Sequence, residues 1–246
     1  MEVPQDRQVI VLHFSIADWQ AWAPGLTSHT DWQAWALDQR AVDNSDTTPD
    51  VSFLPAMQRR RLSPLARMSF CVGWPLAQAQ GSLPLVFLSR HGETGRTAEL
   101  LNQLAAQQPL SPTQFGLSVH NAIIGQWSIL RGETAEMTAL AGASDGFEQA
   151  FIEACLLLQQ HPQVLLIVAE EAPAACYQPA IDDVPFSYAL GLRLSRGEQF
   201  TLDWQAPSND PSTAIAHPLS WLKHFLRSHT QWLHATPQRT WHWQQA

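Results

Sequence analysis

Five histidines fall between His217 and His242, a dense group of residues able to bind metal or transfer protons. His224, His229 and His234 follow at intervals of five. On one helix, successive members rotate by about 140° and share no face, which predicts a solvated or interface helix and no metal site. Cys71, Cys155 and Cys176 are an odd count without metal-ligand spacing and read as inert thiols, two of them in apolar surroundings. Ser118, Ser128 and Ser144 lack the Gly-x-Ser-x-Gly setting that turns a serine into an exposed nucleophile. No Gly-rich phosphate loop follows a strand, and no cofactor is expected.

Leu88-Ser89-Arg90-His91-Gly92-Glu93-Thr94 ends a strand on Arg-His-Gly-Glu. This resembles the histidine phosphatase signature, whose His accepts a phosphoryl group. That family carries the motif near its N-terminus and needs a second His before a Gly late in the chain. Here the motif begins at residue 90, and no later His precedes a Gly. The other reading is a polar strand-to-helix turn with Gly92 and Gly95.

These residues need elements to position them. Val9 to Ile16 predicts a strand. Two near-copies follow, Asp18 to Ala23 and Asp31 to Ala36, each reading Asp-Trp-Gln-Ala-Trp-Ala. Each opens on an N-capping Asp and sets two Trp at i and i+3, which predicts two short helices with Trp faces. Residues 41–53 are polar and read as a loop. Helices are predicted over Arg59 to Gln80, Thr94 to Gln107, Val119 to Ile129 and Phe147 to Gln159, and strands over Pro84 to Ser89 and Val164 to Ala169. Phe186 to Leu194 and Phe200 to Trp204 read as a strand pair around Arg196-Gly197. Pro207 to Pro218 is a loop, and Leu219 to Leu233 a final amphipathic helix. Helices alternating with buried strands predict a layered α/β sheet.

The 246 residues suit one α/β domain, or at most two small ones, and 45% apolar against 15% charged residues supply a packed core. A net charge of −8 argues against a nucleic-acid partner. Lys223 is the single Lys among 14 basic residues. Eleven Trp against two Tyr exceed ordinary core needs and suggest apolar contact with another protein. Met1 to Gln8 is polar without a signal-like apolar run, and no stretch reaches the roughly 20 apolar residues of a membrane span. A cytoplasmic location is expected.

Ser111-Pro112-Thr113-Gln114-Phe115 precedes Asn121-Ala122-Ile123-Ile124-Gly125-Gln126-Trp127-Ser128-Ile129. The pair resembles the Ser-Pro and Asn-x-x-x-Gly-x-x-Ser-Ile segments that lead to the nucleophile of β-ketoacyl synthases, members of the thiolase-like superfamily. Arg60-Arg61-Leu62-Ser63-Pro64-Leu65-Ala66 is similar to the start of an early ketosynthase helix. The resemblance runs over about residues 59–205. It implies one half of a thiolase-like fold: a single ketosynthase-like domain over 1–246, with one mixed sheet covered by helices and a short C-terminal helical addition.

The departures from that family carry the functional expectation. Ketosynthases place a Cys nucleophile before the helix that begins here near Asp145. Counted from Asn121, that position is Ser144; matched through Thr138-Ala139, it is Leu140. Neither is Cys. The family's two catalytic His belong to a C-terminal half that the last 40 or so residues do not reproduce. The Trp-rich start, Arg59-Arg60-Arg61, Ser118-Val119-His120-Asn121 and Trp241-His242-Trp243 resemble a subclass found beside ketosynthases in aryl-polyene-type clusters, itself similar to chain length factors.

By that resemblance the chain is a catalytically silent partner of a full-length ketosynthase, and an acyl carrier protein docks on the pair. Asn121 and Met137, Thr138, Ala139 and Leu140 would lie at the interface. Phe115, Leu117 and Ser118 would approach the partner's acyl tunnel, and Arg59, Arg60, Arg61 and Arg67 would assist carrier docking or form a solvated basic face. A free-standing hydrolase, built on His91 or on Ser144 as a thioesterase or decarboxylase, and a purely structural scaffold are the other readings.

Overall fold

The computed structural model describes residues 10–43, 47–78, 81–207 and 217–246. The expectations for Met1 to Gln8, for Val9, for residues 44–46 of the polar loop, for the helix end at Gln80 and for residues 208–216 of the last loop lie outside them.

The centre of the protein is β4 (Gln163–Glu170), buried from Val164 onward. An apolar run this uninterrupted suits a strand covered on both faces. Its alternate side chains divide between two cores: Val164, Leu166 and Val168 enter one, Leu165, Ile167 and Ala169 the other. On one side β2 (Leu85–Leu88) and then β3 (Met137–Leu140) pair in parallel. On the other, β5 (Tyr188–Gln205) runs antiparallel and also pairs with β1 (Leu12–Trp22) and β7 (Thr240–Gln245). Adding β6 (Gln231–Ala235), the sheet has the order β3-β2-β4-β5-β7-β6, with β1 on β5.

Helices cover both faces. Leu65, Phe70 and Val72 of α3 (Pro64–Gln78), with Ile123 and Trp127 of α6 (Ala122–Arg131), fill one core. Gly73 lets α3 approach the sheet, since any Cβ there would collide with Ile167 and Trp127. Phe147 and Phe151 of α7 (Gly146–Leu157), Trp221 of α8 (His217–Leu226) and Trp32 of α1 (His29–Ala36) fill the other. The helices α2 (Ala56–Arg59), α4 (Thr94–Ala105) and α5 (Pro112–Gly116) border the site described below. No helix among the described residues is long and apolar enough to cross a membrane.

Four expectations are corrected. The two Asp-Trp-Gln-Ala-Trp-Ala copies do not fold alike: Asp18 to Trp22 lies in β1, and Asp31 to Ala36 in α1. Both are preceded by Ser three residues before the Asp. Only Ser28 and Asp31 close a capping box, with Asp31 N donating to Ser28 Oγ and Ser28 N to Asp31 Oδ2 at 3.1 and 3.0 Å. Ser15 instead faces Gln199, and pairing of Trp19 to Trp22 with Leu192 to Ala189 overrides the helical periodicity.

The expected strand pair around Arg196-Gly197 is one continuous β5 with an irregularity opposite Phe14 and Ser15. Ile16 N donates to Gln199 Oε1 at 2.9 Å, and Arg196 donates to the carbonyls of Leu158 and Gln159 beyond α7. These bonds hold the segment extended where a turn was expected.

The final helix stops at Leu226, not Leu233, and the chain returns as the β6–β7 hairpin. The C-terminal addition is therefore a helix plus two strands that extend the main sheet. Trp232, Trp241 and Trp243 are buried in it, and alternation at period two decides the outcome.

The tryptophans, fourth, are mostly core. Trp22, Trp32, Trp35, Trp127, Trp221, Trp232, Trp241 and Trp243 are all buried, and none of the large exposed apolar residues is Trp. Trp243 contacts Phe14, Phe147, Phe151, Trp221 and Trp232. Trp243→Ala is expected to cost about 3–5 kcal/mol of stability, as for other buried aromatics, read from the denaturant midpoint of the purified chain.

Candidate functional site

β3 forms one edge of the sheet. Leu85 N donates to Glu136 O at 3.1 Å and Ser89 N to Leu140 O at 3.2 Å. In a parallel pair each residue turns its N–H and C=O toward the same side, and neighbours alternate. The backbones of Met137 and Ala139 therefore face away from β2, where no strand pairs with them among the described residues. Thr138 is anchored inward, its hydroxyl donating to Glu153 Oε1 at 2.9 Å.

β3 runs into a tight turn before α7. Gly146 N donates to Ala143 O at 3.1 Å. A Cβ on Gly142 would overlap the backbone of Gly146, so the turn requires glycine there. Leu140 ends β3 and Ser144 stands just before α7, both half-buried. Among the described residues no base is hydrogen-bonded to Ser144. Cys155 is buried well into α7, and burial pushes its thiol up to about 12. Burial likewise pushes Cys71 up to about 11. These thiols stay protonated and unreactive at neutral pH.

The structure separates the three expected tunnel residues. Ser111 caps α5, accepting from Gln114 N at 3.3 Å. Phe115, on that helix, is 64% exposed, so it is no part of the chain's own core. Ser118 donates to Phe115 O at 2.8 Å and tightens the end of the turn. Leu117 turns the other way and lines a cavity of about 620 Å³ together with Arg60, Arg61, Arg96, Glu99 and Glu171. Asn121, exposed, supplies the carbonyl that begins α6. Of the basic cluster, Arg60 and Arg61 are exposed, whereas Arg67 donates to Arg59 O at 2.5 Å and is partly buried.

Glu171 in that cavity is pushed from 4.5 up to about 7, chiefly by burial and further by the nearby carboxylates of Glu93 and Glu99. Burial also raises Glu93. A carboxyl raised on folding binds its proton more tightly in the native state, so stability falls as pH rises from the unfolded value through the folded one. Glu171→Gln is expected to remove part of this loss. The variant should gain stability over the parent at about pH 8 and match it near pH 4 in parallel thermal melts.

His91 is held by other groups. Its Nε2 lies 2.8 Å from Asp183 Oδ1, while Arg90 pairs with Asp183 Oδ2 at 2.8 Å. Glu170 accepts from the Ser89 hydroxyl and from the Arg90 and His91 amides. His120 Nε2 meets Ser89 O at 2.8 Å, its ring beside Gly92. The Arg-His-Gly-Glu segment is thus a strand-to-helix turn pinned by carboxylates, and no histidine is hydrogen-bonded to His91 among the described residues.

A second cluster was not legible in the sequence. Glu148, fully buried in the first turn of α7, meets His217 at the start of α8 and His234 of β6. His234 Nδ1 lies 2.9 Å and Trp243 Nε1 3.2 Å from Glu148 Oε1. Burial alone would raise the Glu148 carboxyl, but the two histidines outweigh it and draw it down to about 2. Burial lowers His217. The five-residue spacing argument presumed one helix, whereas the hairpin brings His234 back beside His217. His224 and His229, also expected on separate faces, sit Nδ1 to Nδ1 at 2.7 Å because the helix has already ended.

The profile described as β-ketoacyl synthase, N-terminal domain, matches residues 32–244. The chain belongs to this family. As a β-ketoacyl synthase N-terminal domain it is similar to a chain of the ketosynthase (ApeO) in complex with its chain length factor (ApeC) from Xenorhabdus doucetiae. Identity is 30% and the TM-score 0.84, over 95% of this chain and 100% of that one. Two further structures share the fold at low identity. The ishigamide ketosynthase/chain length factor matches at 14% identity and TM-score 0.60, over 82% of this chain and 68% of that one. A β-ketoacyl synthase from Burkholderia phymatum matches at 11% and 0.58, over 89% and 71%. No curated protein matches. The thiolase-like ketosynthase fold expected from the sequence is the one observed.

Proposed function

We propose that this protein is a non-catalytic, chain-length-factor-like partner of a complete β-ketoacyl-acyl carrier protein synthase. It stabilises the heterodimer and shapes the acyl tunnel in aryl-polyene-type fatty acid or polyketide synthesis, in the cytoplasm. The observation that carries this reading is the turn between β3 and α7. Where a ketosynthase presents its thiolate, this chain offers Leu140 and Ser144, and its buried thiol, Cys155, is protonated. An alcohol without a paired base is hardly ionised at neutral pH.

Two further observations support a partner role. The outward backbone groups of Met137 and Ala139 leave a strand edge open to β-pairing. The exposed Phe115 and Val119 lie on the segment that in ketosynthases reaches the neighbour's acyl pocket. The similar chain from Xenorhabdus doucetiae comes from a complex of just this composition. The interface is expected to be of obligate type, on the order of 2,000 Å² or more. Arg60 and Arg61 are exposed and Arg59 half-buried, available to meet an acidic carrier protein, whereas the Arg67 guanidinium is spent on the Arg59 carbonyl.

The test is reconstitution. Alone, the chain should neither condense malonyl and acyl carrier protein substrates nor take up an acyl label. With its ketosynthase it should co-elute and support turnover, and Ser144→Ala should leave that turnover unchanged. Loss of turnover in Ser144→Ala would give this subunit chemistry of its own. Phosphatase activity of the isolated chain that vanishes in His91→Ala would instead favour the hydrolase reading.

A further inference from the structure

The structure assigns Glu148, His217 and His234 as a binding site for one divalent transition-metal ion, of which zinc suits the donors best. Their ligand atoms all lie within 4.8 Å of one another. Two imidazole nitrogens and a carboxylate make a borderline-soft donor set of the kind zinc takes in four-coordinate sites. The residues come from α7, α8 and β6, so an ion here would tie the C-terminal hairpin to the helix that follows the Ser144 turn.

Protein partners alone leave the cluster incompletely satisfied. Glu148 Oε1 receives His234 and Trp243, yet Glu148 Oε2 is buried with no hydrogen-bond partner. His217 Nε2, also buried, comes within 2.5 Å of Oε1 as an ion pair without the alignment of a hydrogen bond. Orphaned or misaligned buried polar atoms are costly, and an ion answers both at once. Glu148 Oε2 with the two nitrogens gives three protein donors, and water takes the fourth position of a tetrahedral site. Trp243 then acts as the outer hydrogen bond that orients the carboxylate. The His217 and His234 rings are stacked, 3.4 Å between centroids at 5°. Lone pairs in parallel planes do not meet, so one ring must turn when the ion enters. This inference stands independently of the partner role proposed above.

The experiment uses the full chain, stripped with a chelator and titrated with zinc chloride. One equivalent should remain bound through gel filtration and raise the melting temperature by several degrees. Glu148→Gln and His234→Gln should each weaken zinc binding by about a hundredfold or more, a ligand counting for at least as much as its outer-shell partner. His229→Ala, which disrupts the surface His224–His229 pair, should leave it intact. Cobalt(II) titrated into the unmutated chain should develop the intense visible absorption of a tetrahedral centre, a readout that no folding defect of a variant can confound. No retained zinc and no cobalt spectrum overturns the assignment. Zinc binding that persists in Glu148→Gln but is lost in His229→Ala overturns it equally and places the metal on the surface pair.

Discussion

Replacing Ala139 by Pro is expected to separate the chain from its ketosynthase while leaving the chain itself folded. Ala139 is one of the two β3 residues whose N–H and C=O face away from β2, so its amide takes no part in the chain's own sheet. Proline is tolerated at an edge on the unpaired side, where no ladder bond is lost. Across an interface it removes a donor worth about 1 kcal/mol net and sets its ring where the partner's backbone must approach. We expect affinity to fall by on the order of a hundredfold in sizing or calorimetric measurements, with an unchanged circular dichroism spectrum. Thr138→Pro is the control. Thr138 faces β2, so its proline variant should unfold the edge of the isolated chain. If Ala139→Pro binds the ketosynthase as the parent does, β3 is not the strand that pairs.

The second large effect concerns product length. Phe115→Ala should shift the products of the complex toward longer chains by one or more two-carbon units. The ring is 64% exposed on α5, with nothing of its own core to fill. Removing it therefore costs the isolated chain little, within about 0.5 kcal/mol for an ordinary surface site. Against a partner's tunnel a Phe ring acts as an apolar stop, since forcing further methylenes past it costs about 1–3 kcal/mol of overpacking. Mass spectrometry of carrier-bound products, normalised to intact complex, reads the change. Leu117→Ala should alter length less, because Leu117 faces the chain's own cavity with Arg60 and Glu171. Unchanged lengths from an intact Phe115→Ala complex would remove the gating role.

Several elements were legible in the residues because a local pattern and the tertiary environment agreed. The apolar run from Val164 to Ala169 can only be a strand covered on both faces, and it became the centre of the sheet. Phe147 to Gln159 carries helical spacing and forms α7 nearly as predicted. The absence of cysteine from the β3–α7 turn was also visible, because it depends on residue identity alone: Leu140 and Ser144 are read directly from the chain.

What the residues alone did not determine follows from a single cause. The hexapeptide Asp-Trp-Gln-Ala-Trp-Ala begins in a strand at residue 18 and in a helix at residue 31, each copy preceded by a serine three residues before its Asp. Local free-energy differences between the two states are small, a few tenths of a kcal/mol per residue, and a partner strand distant in sequence outweighs them. Trp19 to Trp22 find that partner in Ala189 to Leu192; Trp32 and Trp35 find none and bury their rings against the sheet as a helix. The same competition ended the last helix at Leu226, sent Trp232 and Trp243 into a hairpin and turned the tryptophan surplus inward. It also carried His234 back to His217 and Glu148, residues 86 positions apart at their widest, which no spacing rule along one element can bring together. Residue identity decided that the β3–α7 turn carries no cysteine. Long-range strand pairing decided which side chains meet, because pairing energy depends on distant partners that local periodicity does not encode.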